Sequence, residues 1–491
     1  MKPHNLPRND RVSFEALLEN RIIRVVLLLL LFVISISPYL YAILFNPISC
    51  DASYYLSVVE RIREAKKPYQ DFVLGYTPLF FYVIAKIKDL CCIGINFTFD
   101  LSIHLLFLIS SSIAIFKISE LITKRSIFAY LTVTLYLLLT SWFVRYDFLL
   151  EIPSMSWGLW ALYLALRYPT KVLLYVLIGF LCALSFLTKQ YGLGFYFLIL
   201  YLLLFDKSGL KHWLYFTIGF VGSLSLAMIV FPHIYSVFFG NGYGLENRSY
   251  DIATIQAILL QVKASIIFIF LRILVLIPAI ALFPIIPKSH RKEGGLLLLG
   301  IFGFMLQFIF GPFMHYSLYI IPFIAIYLFF VLSKFTSNSL IYKALGFCLM
   351  LTFVLAIYKN YSRIFSDNYD NRAHQFLLAN KIKKHIVPGN TLYIADTRLV
   401  EFYYILNVNS PNLDYSFGTA LNEKTHFKQL NDADYILSFD APDLYDTILN
   451  SERVMNYNRK LPNKIVLDVQ QNYHPSLHKM YTEKVVLYLK E

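Results

Sequence analysis

The chain has 491 residues, of which 57% are hydrophobic, 17% aromatic and only 15% charged, whereas a soluble domain carries about a quarter charged residues. This composition excludes an ordinary soluble enzyme and identifies a polytopic membrane protein. The net charge of +13 lies entirely before residue 360, because the remainder holds 15 Lys and Arg against 15 Asp and Glu; such a distribution argues against a nucleic-acid partner and for bilayer orientation and an anionic lipid ligand.

A polar N-terminal tail, residues 1–21, precedes the first apolar run, which is too long for the h-region of a cleavable signal. Apolar segments near the ~20 residues that cross a bilayer are expected as spans at 22–45, 101–118, 126–143, 149–166, 172–188, 191–205, 213–232, 264–287, 294–312, 317–332 and 341–358. Lys2, Arg8, Arg11, Arg21 and Arg24 place the N-terminus inside. Eleven crossings then put Lys124 and Arg125, Arg167 and Lys171, Lys207 and Lys211, and the Lys288–Lys292 cluster inside, with the C-terminal segment outside. The five cysteines form neither a disulfide framework nor a metal-ligand spacing.

Between the first two spans, 46–98 reads as an interfacial segment. From Asp51, the positions Tyr54, Tyr55, Val58, Val59 and Ile62 follow a helical rhythm. The opposite face carries Ser53, Ser57, Glu60, Arg61, Arg63 and Glu64. This predicts an amphipathic helix lying flat on the membrane. The next apolar stretch, "YTPLFFYVIAKIKDL", is interrupted by Lys86, Lys88 and Asp89 and is expected at the same interface, not as a span. From 359 to 491 the composition is that of an extracytoplasmic α/β domain, with a helix at 367–386 and strands in "TLYIA", "DYILSF", "KIVLDV" and "KVVLYL".

This topology collects ionisable residues at the outer ends of the spans: Asp51, Arg145 and Asp147 in "SWFVRYDFLLE", Lys189 in "SFLTKQYG" and His315 in "GPFMHYSLYIIP". Such groups near hydrocarbon are costly and point to function. Each also has a plain structural reading. Asp51 is a good helix cap, Arg145 and Asp147 an interfacial ion pair, Lys189 a snorkelling lysine, and His315 an ordinary interfacial histidine. Three cations and two carboxylates at one depth favour a site for an anionic ligand with a carboxylate left for proton chemistry.

"YYLSVVERIREAKKPYQDF" following an acid, then "GYTPLFFY", "RYDFLLEIPSMSWGLWALYLALR", "FLTKQYG" and "HYSLYIIPFIAIYLFF", resemble in order and spacing the GT-C class of membrane glycosyltransferases. The bacterial branch related to protein O-mannosyltransferases and lipid A aminoarabinose transferases is the nearer likeness, over residues 20 to 335. The resemblance implies an inverting transferase for a hexosyl or pentosyl group, moving a sugar from a polyprenyl-phosphate carrier to an acceptor hydroxyl on a lipid, glycan or protein. It implies action outside the inner membrane of a bacterium, among membrane lipids and in cell-envelope glycosylation. By position Asp51 resembles the catalytic base and Lys189 the carrier-phosphate lysine, with Arg145 and His315 in the same work. Asp147, Tyr55, Tyr76 and Gln190 fall where the sugar or a catalytic partner is oriented. Gly75, Tyr76, Thr77, Pro78 and Leu79 depart from the acid or Lys that relatives carry before their Pro-Pro, so a required divalent metal is not expected. The competing readings are a glycolipid transporter or flippase, against which stands the lack of internal repeats, and a non-catalytic relative.

Overall fold

The computed structural model describes residues 21–366 apart from 73, 145, 206–208, 232–233, 235–251, 310–313 and 337–338, and then 371–387, 389–394, 401–408, 434–439, 463–467 and 485–489. Within these bounds the apolar runs form helices: α1 (Arg21–Phe45), α2 (Cys50–Arg63), α3 (Leu79–Leu90), α4 (Phe97–Thr123), α5 (Ser126–Phe143), α6 (Glu151–Arg167), α7 (Leu174–Thr188), α8 (Leu193–Phe205) and α9 (Leu210–Val230). They continue as α10 (Ile252–Arg272), α11 (Leu276–Ala281), α12 (Arg291–Met305), α13 (Ile321–Ser333) and α14 (Leu340–Ser366).

Among the described residues six helices are long and apolar enough to cross a membrane, or seven if one bent pair counts as a span. The six comprise α1, α4, α5, α9, α14, and α13 together with the 3-10 turn Met314–Tyr319 before it. Four more expected spans are the shorter α6, α7, α8 and α12, of 17, 15, 13 and 15 residues. The span expected at 264–287 is not one rod: Val262–Arg272 and Leu276–Ile285 meet at 96°. Arg272 marks the corner, its guanidinium 3.7 Å from the Phe268 ring centroid and Nη1 donating to the Trp142 carbonyl at 3.2 Å.

Burial follows apolarity around each helix. The α13 span, 94% buried, lies inside the bundle, whereas only 22% of α9 and α14 is covered, as expected when a uniformly apolar helix is central and others face hydrocarbon. Helices α7 and α9 approach backbone to backbone, since a side chain at Gly179 or Gly219 would run into the Phe216 or Val176 carbonyl of the other helix. At 12 residues α3 is not among the described helices long and apolar enough to cross a membrane.

The expected water-facing side of α2 is overturned. Ser53, Ser57, Glu60 and Arg61 are buried, because α3 and α16 (Glu401–Leu406) pack over this helix. Lys88 Nζ lies 2.7 Å from Glu60 and 3.1 Å from Asp100, and Asp100 accepts the Tyr404 hydroxyl at 2.6 Å. Arg63 bridges Glu60 and Asp89 at 2.8 Å each. Arg61 pairs with Glu64 at 2.6 Å and donates to Asn407 at 2.9 Å. The polar stripe is therefore half of an ion network whose other half comes from distant parts of the chain.

Beyond α14, which continues past the expected boundary at 358, lies α15 (Asn371–Lys383). Arg372 caps the last turns of α1, donating to the carbonyls of Asn46, Ile43 and Ala42 at 2.7–3.0 Å. All four expected strands form: β1 (Leu392–Ile394), β2 (Tyr435–Phe439), β3 (Asn463–Leu467) and β4 (Val485–Leu489). They make one sheet in the order β1-β2-β4-β3. Leu392 pairs with Tyr435 in the parallel contact, while Leu489 faces Tyr435 and Asn463 in the antiparallel ones. The Asp434 carboxylate accepts both the amide (2.7 Å) and hydroxyl (2.9 Å) of Thr391, fixing that register.

Candidate active site

Helix α2 begins at Ser49, whose extended backbone and side-chain oxygen, accepting the Ala52 amide at 3.1 Å, make it the N-cap. Asp51 is thereby released from the capping role. It lies in the first turn, where the positive end of the helix dipole favours a carboxylate, and its side chain is 51% exposed.

Two further helix ends face it. Glu151 opens α6 and is fully buried. Lys189 follows the last residue of α7, in extended conformation, before the 3-10 turn Gln190–Gly192. Gly192 packs on Ser185 so closely that a Cβ would strike it, and its amide donates to the Lys189 carbonyl at 2.8 Å. One turn into each helix, Ser154 donates to the Ser185 carbonyl at 2.8 Å and Ser185 to the Ser154 carbonyl at 2.7 Å. Tyr319 donates to Ser154 at 2.7 Å. These short side-chain hydroxyl bonds fix α6 against α7 and so hold together the helix ends that carry Glu151 and Lys189.

Lys189 does not snorkel. It is 1% exposed, with Nζ 3.2 Å from Glu151 Oε1 and donating to the Tyr55 hydroxyl at 3.2 Å. The same Nζ sits 4.1 Å from the Tyr76 ring centroid, a cation–π contact strengthened by its burial. Tyr55 and Tyr76 meet edge to face at 5.3 Å. The Tyr69 hydroxyl holds the Tyr76 carbonyl at 2.5 Å. Burial first, then Tyr76, Glu151 and Asp51, push the Tyr55 hydroxyl well above its ordinary pKa, so it acts as a neutral hydrogen-bonding group.

His315, in the turn Met314–Tyr319, spans the two carboxylates. Nδ1 lies 3.9 Å from Asp51 Oδ2 and Nε2 3.7 Å from Glu151 Oε1. Its ring stands perpendicular to Tyr316, whose hydroxyl accepts from Tyr191 at 2.9 Å.

Asp51, His315, Lys189, Tyr55 and Tyr76, drawn from four stretches of sequence, thus form one cluster. Gln190 adjoins Lys189, and its buried Oε1 has no hydrogen-bond partner among the described residues. Asp147 accepts the Phe148 amide at 2.8 Å within its own loop. Arg145 lies outside the described residues. Glu151 is the residue that sequence reasoning missed. It closes the quoted motif "RYDFLLE", and an acid in the first turn of an apolar helix was the available signal. Among the described residues no group of three or more His, Cys, Asp or Glu is arranged to hold a metal ion.

No family profile and no curated protein matches the sequence. Solved structures do match the fold, among them two crystal structures of one protein. ArnT from Cupriavidus metallidurans bound to undecaprenyl phosphate has a TM-score of 0.56 at 13% identity, covering 96% of this chain and 98% of that one. The apo state of the same protein gives 0.56 and 13%, covering 94% and 98%. The chain has an ArnT-like fold over nearly its whole length.

Proposed function

We propose that a chain with this fold and this cluster is an inverting glycosyltransferase, taking a sugar from a polyprenyl-phosphate carrier at the outer face of a bacterial inner membrane. The observation that carries the reading is the pairing of a half-exposed acid, Asp51, with a rigidly held Lys189–Glu151 pair through His315. That the fold neighbour was crystallised with undecaprenyl phosphate supports a lipid-phosphate donor.

In this mechanism the acceptor hydroxyl attacks the anomeric carbon while Asp51 takes its proton. The bond from that carbon to the phosphate oxygen breaks on the opposite face, its electrons passing to the carrier phosphate. Cations must meet the charge that grows there. The described cluster contains two carboxylates, Asp51 and Glu151, against one permanent cation, Lys189. Lys189 therefore offsets Glu151 on the site floor, so that this carboxylate does not repel an incoming phosphate, and His315, nearer the open side, donates to the phosphate. The remaining charge falls to Arg145. Tyr55, Tyr76 and Gln190 orient the sugar. These groups suffice without a metal, so none is required in this reading. Asp147 steadies the loop that carries Arg145, and the C-terminal segment from 359 faces the acceptor, whether lipid, glycan or protein.

The test uses the purified chain, polyprenyl-phosphate and a panel of labelled polyprenyl-phosphate sugars. Asp51→Asn is expected to bind the carrier normally and lose about 10²–10⁴ in turnover. Arg145→Gln and Lys189→Ala are expected to weaken carrier binding. Unchanged binding and turnover in all three variants sinks the proposal and brings the glycolipid transporter forward.

A further inference from the structure

A small pocket, open on one side, lies at the ends of α1, α5 and α14, lined by Tyr41, Asn46, Ser141, Tyr146, Asn360 and Arg363. It shares no residue with the Asp51 cluster. Its floor is rigid: the Asn46 amide donates to the Tyr146 carbonyl at 3.3 Å, and the Tyr146 hydroxyl donates to the Leu101 carbonyl at 3.2 Å.

One feature of the lining asks for an occupant, and a second gives it a sign. Asn360 is 2% exposed, and its Nδ2 donates to the Leu138 carbonyl at 3.0 Å, yet its Oδ1 has no hydrogen-bond partner among the described residues. A buried amide oxygen left so is a cost that an O–H donor would relieve. Opposite in chemistry is the guanidinium of Arg363, anchored on the Ser141 carbonyl at 3.1 Å. Arg272 is anchored on the very next carbonyl, that of Trp142. Two guanidinium groups on consecutive carbonyls give this end of α5 a positive potential.

The walls also say what kind of molecule fits. Leu40 and Leu44 on α1, and Val354 and Tyr358 on α14, are exposed apolar side chains beside the pocket's own residues on those helices. A ligand here has its polar part among Asn360 and Arg363 and continuous apolar surface leading away from it. That arrangement matches a lipid better than a free solute.

We propose that this pocket and its open mouth together hold the headgroup of an anionic, hydroxyl-bearing phospholipid of the phosphatidylglycerol kind. Its phosphate meets Arg363, a glycerol hydroxyl donates to Asn360 Oδ1, and the acyl chains lie along α1 and α14. The inference stands independently of the glycosyltransferase reading, since it concerns binding of a bulk lipid at other residues.

The experiment titrates delipidated full-length protein in detergent with phosphatidylglycerol, phosphatidic acid and phosphatidylethanolamine, counting bound lipids by native mass spectrometry. Phosphatidylglycerol is expected to bind at least about tenfold more tightly than either other lipid, as a charge-assisted contact plus a hydroxyl bond would give. Arg363→Gln should erase the preference over phosphatidylethanolamine, and Arg363→Lys should keep most of it. Asn360→Leu should erase only the preference over phosphatidic acid. Equal binding of the three lipids by the wild type, which requires no variant to fold, overturns the proposal. So does displacement of phosphatidylglycerol by undecaprenyl phosphate, which would make this a carrier site. Glycerol phosphate binding as tightly as the lipid would also overturn it, identifying a soluble ligand instead.

Discussion

Helix α2 has an ion cluster at each end, built from the same residue types and put to opposite uses. At its start, Asp51 is half exposed and meets its partner His315 only at 3.9 Å. Toward its end, Glu60 is buried between Lys88 at 2.7 Å and Arg63 at 2.8 Å. The first arrangement leaves a carboxylate able to take a proton from an incoming group. The second consumes its carboxylates in holding α2, α3, α4 and α16 together. Charge inside such a bundle is therefore not itself a mark of function; the distinguishing feature is an acid left loosely held at an open edge.

The contrast can be broken by experiment. Asp51→Asn should cost about 10²–10⁴ in turnover and leave thermal stability unchanged; a marked fall in stability would place Asp51 with the structural cluster. Lys88→Met should do the reverse, destabilising the protein by about 3–5 kcal/mol because Asp100 would be buried without its cation and Glu60 would keep only Arg63. Normal stability in that variant, read by thermal unfolding in detergent, would show that the second cluster is not structural. Tyr404→Phe removes one hydrogen bond to a charged carboxylate and should cost about 1.5–3 kcal/mol, loosening α16 while the helix bundle persists; limited proteolysis of the C-terminal segment would report it. Ser49→Ala should cost about 1 kcal/mol as a lost cap. If it also lowers turnover more than stability, the cap sets the direction in which Asp51 points.

Much of this was legible in the residues. Hydropathy located the membrane helices, and short β-like runs located the four strands, because those patterns report burial of a chain segment irrespective of its neighbours; α16 carried no such signal and was not expected. The collection of Asp51, Lys189 and His315 at one end of the bundle followed from counting crossings. What failed was any statement about a partner. The stripe from Ser53 to Glu64 read as a solvated face because nothing local reveals that Lys88, Tyr404 and Asn407 cover it. Lys189 kept a plain alternative, a lysine reaching for water, because Glu151, its partner 3.2 Å away, sits 38 residues earlier in sequence at the head of another helix. The corner at Arg272 was equally hidden: apolar composition continues through Ile273–Val275, and only the backbone direction changes there.

The unbroken run of α14 has a mechanical consequence. Its 27 residues rise about 40 Å at 1.5 Å each, more than the ~30 Å of the hydrocarbon layer. The helix is a stiff axle that leaves the bilayer still turning, and the segment mounted on it begins within a few residues, where Arg372 is pinned to the end of α1. Inserting one residue midway along such an axle turns everything beyond it by about 100°. The two attachments would then fall out of phase, so this stretch tolerates changes of residue far better than changes of length.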